Sequence, residues 1–140
     1  MKFTSQSIAD VAIIEPAVNK DSRGYFIETY KKTLFDDFIG YKVNFIQENE
    51  SRSTKGVLRG LHYQEPPYSQ AKLVRVIEGH VLDIAVDIRK SSQTFGQHVA
   101  VELSRENKKQ IFLPRGFAHG FIVLSEIAII NYKVDNNYAP

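Results

Sequence analysis

The sequence predicts an all-β fold, a jelly roll of packed antiparallel strands with one short helix. Short runs rich in apolar and β-branched residues recur along the chain, and turn-forming residues separate them. Only one stretch shows helical spacing of its apolar residues. Short strands at regular intervals are typical of an antiparallel sandwich or barrel. The length of 140 residues suits one domain, which we expect to span residues 1–140.

The first third of the chain predicts two strands and the helix. Val11 to Ile14 is an apolar run that reads as a strand. Turn residues at 21–24 lead to a second strand from Tyr25 to Tyr30. Apolar residues at helical spacing predict a short amphipathic helix from Lys31 to Ile39, ended by Gly40. A polar stretch at 48–51 follows.

The remaining two thirds predict strands joined by tight turns. A short strand spans Gly56 to Gln64. Two hairpins are predicted next, one from Lys72–Ile77 and Val81–Arg89, the other from His98–Leu103 and Lys109–Leu113. The last predicted strands cover 121–124 and 127–134. In the strand from Val81, one face is fully apolar, whereas the other carries two aspartates at positions 83 and 87.

Composition excludes several classes of protein. The chain is 43% hydrophobic and 24% charged, which is ordinary for a globular domain, and its net charge of +2 is too small to indicate nucleic acid or a membrane as partner. The absence of cysteine excludes disulfides and thiolate metal sites. No signal peptide or membrane-spanning apolar run is recognisable, so we expect a cytoplasmic protein.

Arg59 and His62 lie in a strand that we expect to be buried, where packing alone would not favour a cation or an imidazole. They are three residues apart, so strict alternation would point them to opposite faces. Gly60 lies between them and could host a bulge that turns both into one cavity. His62 is then either a core histidine bonded to a backbone carbonyl or a general base.

Three further residues have two readings each. Lys72 is either an edge residue whose ammonium group reaches solvent or a buried cation that needs an anionic ligand. Asp83 is either exposed on a solvated face or a carboxylate that orients a histidine. Tyr132 is either a packing residue with a bonded hydroxyl or a proton donor facing a pocket.

The chain carries only one half of the cupin metal-binding motif. Pro114–His119 matches the second half of a cupin motif, in which a histidine faces the barrel interior. Metal-binding cupins carry His-x-His earlier in the chain, whereas this chain reads His62-Tyr63-Gln64 there. An amide is a poor replacement for imidazole. We therefore expect no metal.

Several segments together resemble the dTDP-4-dehydrorhamnose 3,5-epimerase family over nearly the whole chain. The matching segments are residues 21–28, 56–64, 72–76, 83–89, 94–96, 114–121 and 131–133. The resemblance implies a metal-free cupin jelly roll that needs no cofactor, forms a homodimer and acts on a nucleotide-diphosphate sugar. It also implies a place in deoxysugar biosynthesis for surface polysaccharide.

The resemblance implies a role for each matching residue. His62 would take a proton beside the ketone, Tyr132 would return one from the opposite face, and Lys72 would lie near the enolate oxygen. His119 would border the sugar, with Asp83 as its partner. The implied substrate contacts are Arg23, Phe26 and Glu28 from the neighbouring subunit, and Gln47, Asn49, Arg59 and Tyr138.

One departure from the family pattern limits this expectation. Family members continue for roughly forty residues beyond the position equivalent to Pro140, and that tail carries an aspartate paired with the equivalent of His62. The present sequence ends at Pro140. The family pattern implies epimerisation at C3, C5 or both. Without this segment, we expect epimerisation to be restricted to one carbon, C3, or the nucleotide to differ from dTDP. The rival interpretations are a sugar-nucleotide binding module without catalysis, a 3,4-ketoisomerase, and a metal-dependent cupin.

Overall fold

A computed structural model describes residues 1–139 as a set of strands with one helix. The elements are β1 (Lys2–Ser5), β2 (Ala12–Glu15), β3 (Val18–Asp21), β4 (Gly24–Ile27), α1 (Lys32–Ile39), β5 (Gln47–Thr54), β6 (Leu58–His62), β7 (Lys72–Glu78), β8 (His80–Asp87), β9 (His98–Ser104), β10 (Gln110–Leu113), β11 (Phe117–Val123) and β12 (Ile127–Val134).

The strands form two facing sheets, and this arrangement confirms the predicted jelly roll. The larger sheet has the order β1-β2-β10-β7-β12-β5, and the smaller has the order β6-β11-β8-β9. A separate hairpin consists of β3 and β4. Apolar side chains from both sheets meet in the main core, among them Val74, Leu103, Ile111, Phe117 and Phe121.

Both predicted hairpins are wrong. β7 and β8 lie in different sheets, as do β9 and β10. The chain crosses between the sheets at Gly79, whose φ of 82° is a backbone conformation that glycine adopts without steric penalty. A tight turn can reverse the chain within one sheet or carry it to the facing sheet, and the local pattern is the same in both cases. Which one forms depends on burial of the apolar faces by distant strands.

The predicted helix is confirmed, and it covers a second core. α1 ends at Gly40, as expected. Its buried residue Phe35 meets Phe112 of β10 edge-on, with ring centroids 5.0 Å apart. Val43 and Leu73 complete this cluster on the outer face of the larger sheet. The helix therefore covers the outer face of the larger sheet and does not enter the space between the two sheets, where the main core lies.

Three polar strands escaped prediction from the pattern. β1, β3 and β5 lack apolar alternation, and β5 reads Gln-Glu-Asn-Glu-Ser-Arg-Ser-Thr. In β5, the inward side chains of Asn49 and Ser51 line a cavity and not an apolar core. β4 ends at Ile27, so Glu28 lies beyond the strand predicted for 25–30. No helix within residues 1–139 is long and apolar enough to cross a membrane.

Candidate active site

A cavity of about 500 Å³ opens between the two sheets. It is lined by Asn49, Glu50, Ser51, Arg59, His62, Tyr63, Gln64, Gln70, Lys72, Tyr132, Val134, Tyr138 and Ala139. The strand registers explain this convergence. Ser51 pairs with Ile130, and Lys72 pairs with Val134, so these side chains share the inward face with Tyr132. The cavity therefore gathers polar groups from β5, β7 and β12, with β6 opposite.

A bulge in β6 turns Arg59 and His62 into this one cavity. His119 of β11 pairs with His62, and Phe121 pairs with Arg59. Two residues of β6, Gly60 and Leu61, therefore oppose the single Gly120. The extra residue cancels the alternation that would have separated the two side chains. The bulge inferred from the sequence at Gly60 is confirmed.

The electrostatics of the cavity keep His62 neutral and Lys72 charged near pH 7. Partial burial lowers the pKa of His62 to about 4, and the neighbouring Lys72 and His119 contribute to the decrease. Burial also lowers the pKa of Lys72 to about 8, although the Asp83 carboxylate opposes that decrease. Lys72 is only 8% exposed, so the reading as a solvent-facing edge residue is wrong. A neutral imidazole and an ammonium group thus face the same space.

Asp83 and His119 form a buried pair below the cavity. Asp83 is fully buried, which excludes the reading as an exposed residue. Its carboxylate lies 2.8 Å from Nε2 of His119. Because an ionised carboxylate can only accept, Nε2 carries the proton. His119 does not line the cavity; its ring lies beneath those of His62 and Tyr132, at centroid distances of 5.7 and 6.3 Å.

Tyr132 is held by a residue that the sequence reasoning missed. Its hydroxyl lies 2.8 Å from Oγ of Ser51, across the β5–β12 pair. Burial raises the pKa of Tyr132, so the phenol keeps its proton at neutral pH. No local motif marks Ser51. The only signal would have been the pairing of β5 with β12, which the sequence did not reveal.

Arg59 is oriented by a second serine of β5. Its Nε donates to Oγ of the buried Ser53 at 2.9 Å. That contact uses Nε and leaves the terminal guanidinium nitrogens for a ligand. Arg59 itself is exposed, contrary to the expectation of a buried cation. A guanidinium group fixed in this way suits a diphosphate, because its planar fork matches phosphate oxygens.

Gln47 connects two of the expected substrate contacts. Its Nε2 donates to Oδ1 of Asn49 at 2.9 Å, and its Oε1 accepts from the backbone N–H of Tyr138 at 3.2 Å. Asn49 and Tyr138 line the cavity, whereas Gln47 supports them from outside it. Tyr138 lines the cavity and is 68% exposed. An exposed aromatic ring there can stack on a flat group such as a nucleobase.

The residues expected from a neighbouring subunit lie away from this cavity. Arg23 and Phe26 border a separate concavity along the β3–β4 hairpin. Phe26 is 71% exposed, and Arg23 is paired with Asp21 at 2.6 Å. Glu28 is exposed just beyond β4. Within one chain, the structure does not bring these three residues to His62 and Tyr132.

The cavity does not present the ligands of a metal centre. Among residues 1–139, no group of three or more histidine, aspartate or glutamate side chains is arranged to hold an ion. Gln64, at the place of the second cupin histidine, instead bonds the chain that borders the cavity. Its Nε2 donates to the carbonyl of Asn137 at 3.1 Å, and its Oε1 accepts from the N–H of Ala139 at 2.9 Å.

His62 has no carboxylate partner in the part of the chain that the structure describes. None of the hydrogen bonds among these residues involves its imidazole. Two pairs elsewhere show how a carboxylate holds such a group, in His119–Asp83 and in His80–Glu102. His62 therefore depends on the cavity walls for its orientation, and its low pKa reflects that environment.

The chain is similar to known proteins over nearly its whole length. The family model described as dTDP-4-dehydrorhamnose 3,5-epimerase matches residues 5–140. A protein of that name from Shigella flexneri is 55% identical over 139 residues, covering 99% of this chain and 77% of its own length.

Solved structures show the same fold. The 3,5-epimerase RmlC from Legionella pneumophila, in complex with dTDP-4-keto-L-rhamnose, has a TM-score of 0.96 and 49% identity, covering 99% of this chain and 73% of its own. ChmJ, a 3'-monoepimerase from Streptomyces bikiniensis in complex with dTDP-quinovose, has a TM-score of 0.91 and 33% identity, covering 97% and 69%. These similarities cover both sheets.

Proposed function

Because the chain belongs to the dTDP-4-dehydrorhamnose 3,5-epimerase family, we propose that it inverts a carbon beside the ketone of a nucleotide-linked 4-keto-6-deoxy sugar. One observation supports the proposal most strongly. A neutral imidazole, a protonated phenol and a buried ammonium group line the same cavity, from His62, Tyr132 and Lys72. These are the groups that inversion through an enolate requires.

The proposed reaction begins with proton removal from carbon. His62 takes the proton of the C–H bond beside the ketone, and the electron pair of that bond moves to the carbonyl oxygen. The enolate oxygen is stabilised by the ammonium group of Lys72, without which such a C–H bond is too weakly acidic. General-base assistance of this type contributes about 10²–10⁴-fold to the rate.

Inversion is completed from the opposite face of the sugar. Tyr132 gives its phenolic proton to the carbanion carbon, and the enolate returns to the ketone. His62 is left protonated and Tyr132 deprotonated, so both must exchange protons with solvent before the next turnover. No electrons are gained or lost overall, and the reaction therefore requires no redox cofactor.

The proposal assigns the remaining polar groups to the nucleotide and diphosphate. Arg59, with its Nε fixed by Ser53, is suited to the diphosphate. Asn49 and Tyr138, held by Gln47, are suited to the nucleoside. We propose a dTDP-linked substrate, since structures of relatives contain dTDP or dTDP-sugars. A reaction on nucleotide-activated sugars fits the biosynthesis of deoxysugars for surface polysaccharide. We propose that the protein acts in the cytoplasm.

We also propose that two copies of the chain form the working unit. The β3–β4 hairpin exposes Tyr25 and Phe26 and lies apart from the cavity of its own chain. The outer face of β8 is apolar and half-buried at Leu82, Ile84 and Val86. In a homodimer, Arg23, Phe26 and Glu28 of one copy would complete the nucleotide site of the other.

Incubation in D₂O with dTDP-, CDP- and GDP-linked 4-keto-6-deoxy sugars tests the function. NMR reads deuterium incorporation and configuration at C3 and C5. We expect both incorporation and inversion with the dTDP sugar, loss of both in His62→Ala, and loss of inversion alone in Tyr132→Phe. Binding without turnover by the wild type would indicate a binding module. Appearance of a 3-keto sugar would indicate a ketoisomerase.

A further inference from the structure

The hydroxyl of Ser51 is placed to control the hydroxyl of Tyr132. The two oxygens are 2.8 Å apart, although the residues are 81 positions apart in sequence. Ser51 and Tyr132 lie on neighbouring strands, β5 and β12, and both line the cavity. Among residues 1–139, this is the only hydrogen bond of the Tyr132 side chain. The direction of the phenol O–H bond therefore depends on Ser51.

The direction of this hydrogen bond matters for a proton donor. If the phenol donated to Ser51, its proton would point away from the sugar. If Ser51 donates, the phenol oxygen accepts, and its own proton is free to point into the cavity. A serine hydroxyl can play either part, because it is both a donor and an acceptor. Only the second arrangement leaves the phenol ready to protonate carbon.

The same contact becomes more important after proton transfer. Loss of the proton creates a phenolate in a partly buried place, where an anion without a donor is costly. Burial raises the pKa of Tyr132, whereas the hydrogen bond to Ser51 lowers it; the nearby Asp83 charge raises it further, and the Arg59 charge lowers it. Of these influences, only the Ser51 contact is a direct bond to the phenolic oxygen.

We propose that Ser51 is a positioning residue for Tyr132, whose hydroxyl donates to the phenol oxygen and stabilises the phenolate left after protonation of the sugar carbon. This inference rests on the proposed epimerase function. It assigns Ser51 to the reprotonation step alone, because the contact is made to Tyr132 and no hydrogen bond joins Ser51 to His62 among the residues described. Proton removal by His62 should not depend on it.

The experiment compares Ser51→Ala with wild type in D₂O, using the dTDP-4-keto-6-deoxy sugar. Two rates are followed by NMR: deuterium entry into substrate that keeps its configuration, and formation of inverted product. Hydrogen bonds to charged groups are worth enough to slow inversion roughly 10- to 100-fold. Proton removal should continue at the wild-type rate, so the ratio of deuterated substrate to inverted product rises.

Four variants separate positioning from general damage. Ser51→Thr keeps a hydroxyl and should restore most of the inversion rate. In a Tyr132→Phe background, where inversion is already lost, Ser51→Ala should leave the rate of deuterium entry unchanged, because the group it acts through is gone. Arg52→Ala alters the adjacent, exposed residue of β5 and should leave both rates unchanged. If Ser51→Ala does not fold, Ser51→Cys offers a similar volume with a weaker donor and should slow inversion likewise.

The outcomes are distinguishable. A wild-type inversion rate in Ser51→Ala overturns the inference. Equal slowing of deuterium entry and inversion also overturns it, because Ser51 would then only support the fold of the cavity. If the wild type shows neither exchange nor inversion with any of the sugars, the proposed function itself fails, and the role of Ser51 fails with it.

Discussion

The carboxylate of Asp83 accepts a hydrogen bond from Nε2 of His119 at 2.8 Å, and neither side chain is open to solvent. This pair joins β8 to β11 beneath the cavity. It fixes the His119 ring under His62 and Tyr132, and its negative charge acts on Lys72. Loss of the pair should therefore change both the free energy of unfolding of the protein and the pKa of Lys72.

The first prediction concerns stability. Asp83→Ala leaves the buried Nε2–H of His119 without an acceptor, and we expect the free energy of unfolding to fall by about 3 kcal/mol. Urea denaturation measures the change. Asp37→Ala removes an exposed carboxylate of α1 and should change stability by less than about 0.5 kcal/mol. Equal effects of the two substitutions would contradict the account of the pair.

The second prediction is a pH profile of kcat/KM with two limbs. His62 must be neutral to accept a proton, so activity should fall as pH decreases through about 4. Lys72 must be charged to stabilise the enolate, so activity should fall as pH increases through about 8. Initial rates across this range measure both limbs.

Two variants assign the alkaline limb to Lys72. The Asp83 carboxylate raises the pKa of Lys72, so Asp83→Asn should move that limb to lower pH. Lys72→Arg keeps a charge at every accessible pH and should remove the limb from this range, at reduced overall activity. An alkaline limb that stays in place in both variants would show that another group titrates there.

The third prediction separates the orientation of Arg59 from chemistry. Ser53→Ala removes the acceptor of the Arg59 Nε and should weaken binding by about 1 kcal/mol, which raises KM roughly fivefold. We expect kcat to change little, because Ser53 does not contact the groups assigned to proton transfer. Inhibition by dTDP should weaken by the same factor. A drop in kcat with unchanged KM would refute this separation.

The fourth prediction tests the bulge. A β-carbon built on Gly120 would lie 2.8 Å from the carbonyl oxygen of Arg59, so Gly120→Ala must push β6 outward. Displacement of His62 by about 1 Å can cost roughly 100-fold in kcat/KM. Ile122→Val alters the same strand on the far side of the bulge and should leave the rate within about twofold. Wild-type activity in Gly120→Ala would mean that β6 position is not critical.

The fifth prediction tests the shared site. Each site combines His62 of one copy with Arg23 of the other, so His62→Ala or Arg23→Ala alone inactivates both sites of a dimer. In a mixed dimer, both defects fall in the same site, and the other site is intact. Mixed after reversible dissociation, the two variants should recover about one quarter of wild-type activity, since half of the dimers are mixed and each has one intact site. Activity that stays at the level of the single variants would place Arg23 outside the neighbouring site.

Local pattern predicted much of the fold but not its connections. The helix at Lys32–Ile39 and most apolar strands were recognisable, because burial of one face imposes a period on the residues. The hairpins were predicted wrongly, because turn residues do not encode which sheet the next strand joins. β5 was not recognised as a strand, because its inward face carries Asn49, Ser51 and Ser53 in place of apolar residues.

The sequence by itself determined the chemical groups of the site, the strand that carries Arg59 and His62, and the bulge at Gly60 that brings them together. It also carried the family resemblance, because side chains needed for chemistry are poor choices for packing and stand out in apolar strands. Only the tertiary structure decided which face of β8 is buried, that Asp83 bonds His119, and that Ser51 and Ser53 hold Tyr132 and Arg59. These contacts join residues from distant parts of the chain, and their free energies depend on strand registers that no local pattern specifies.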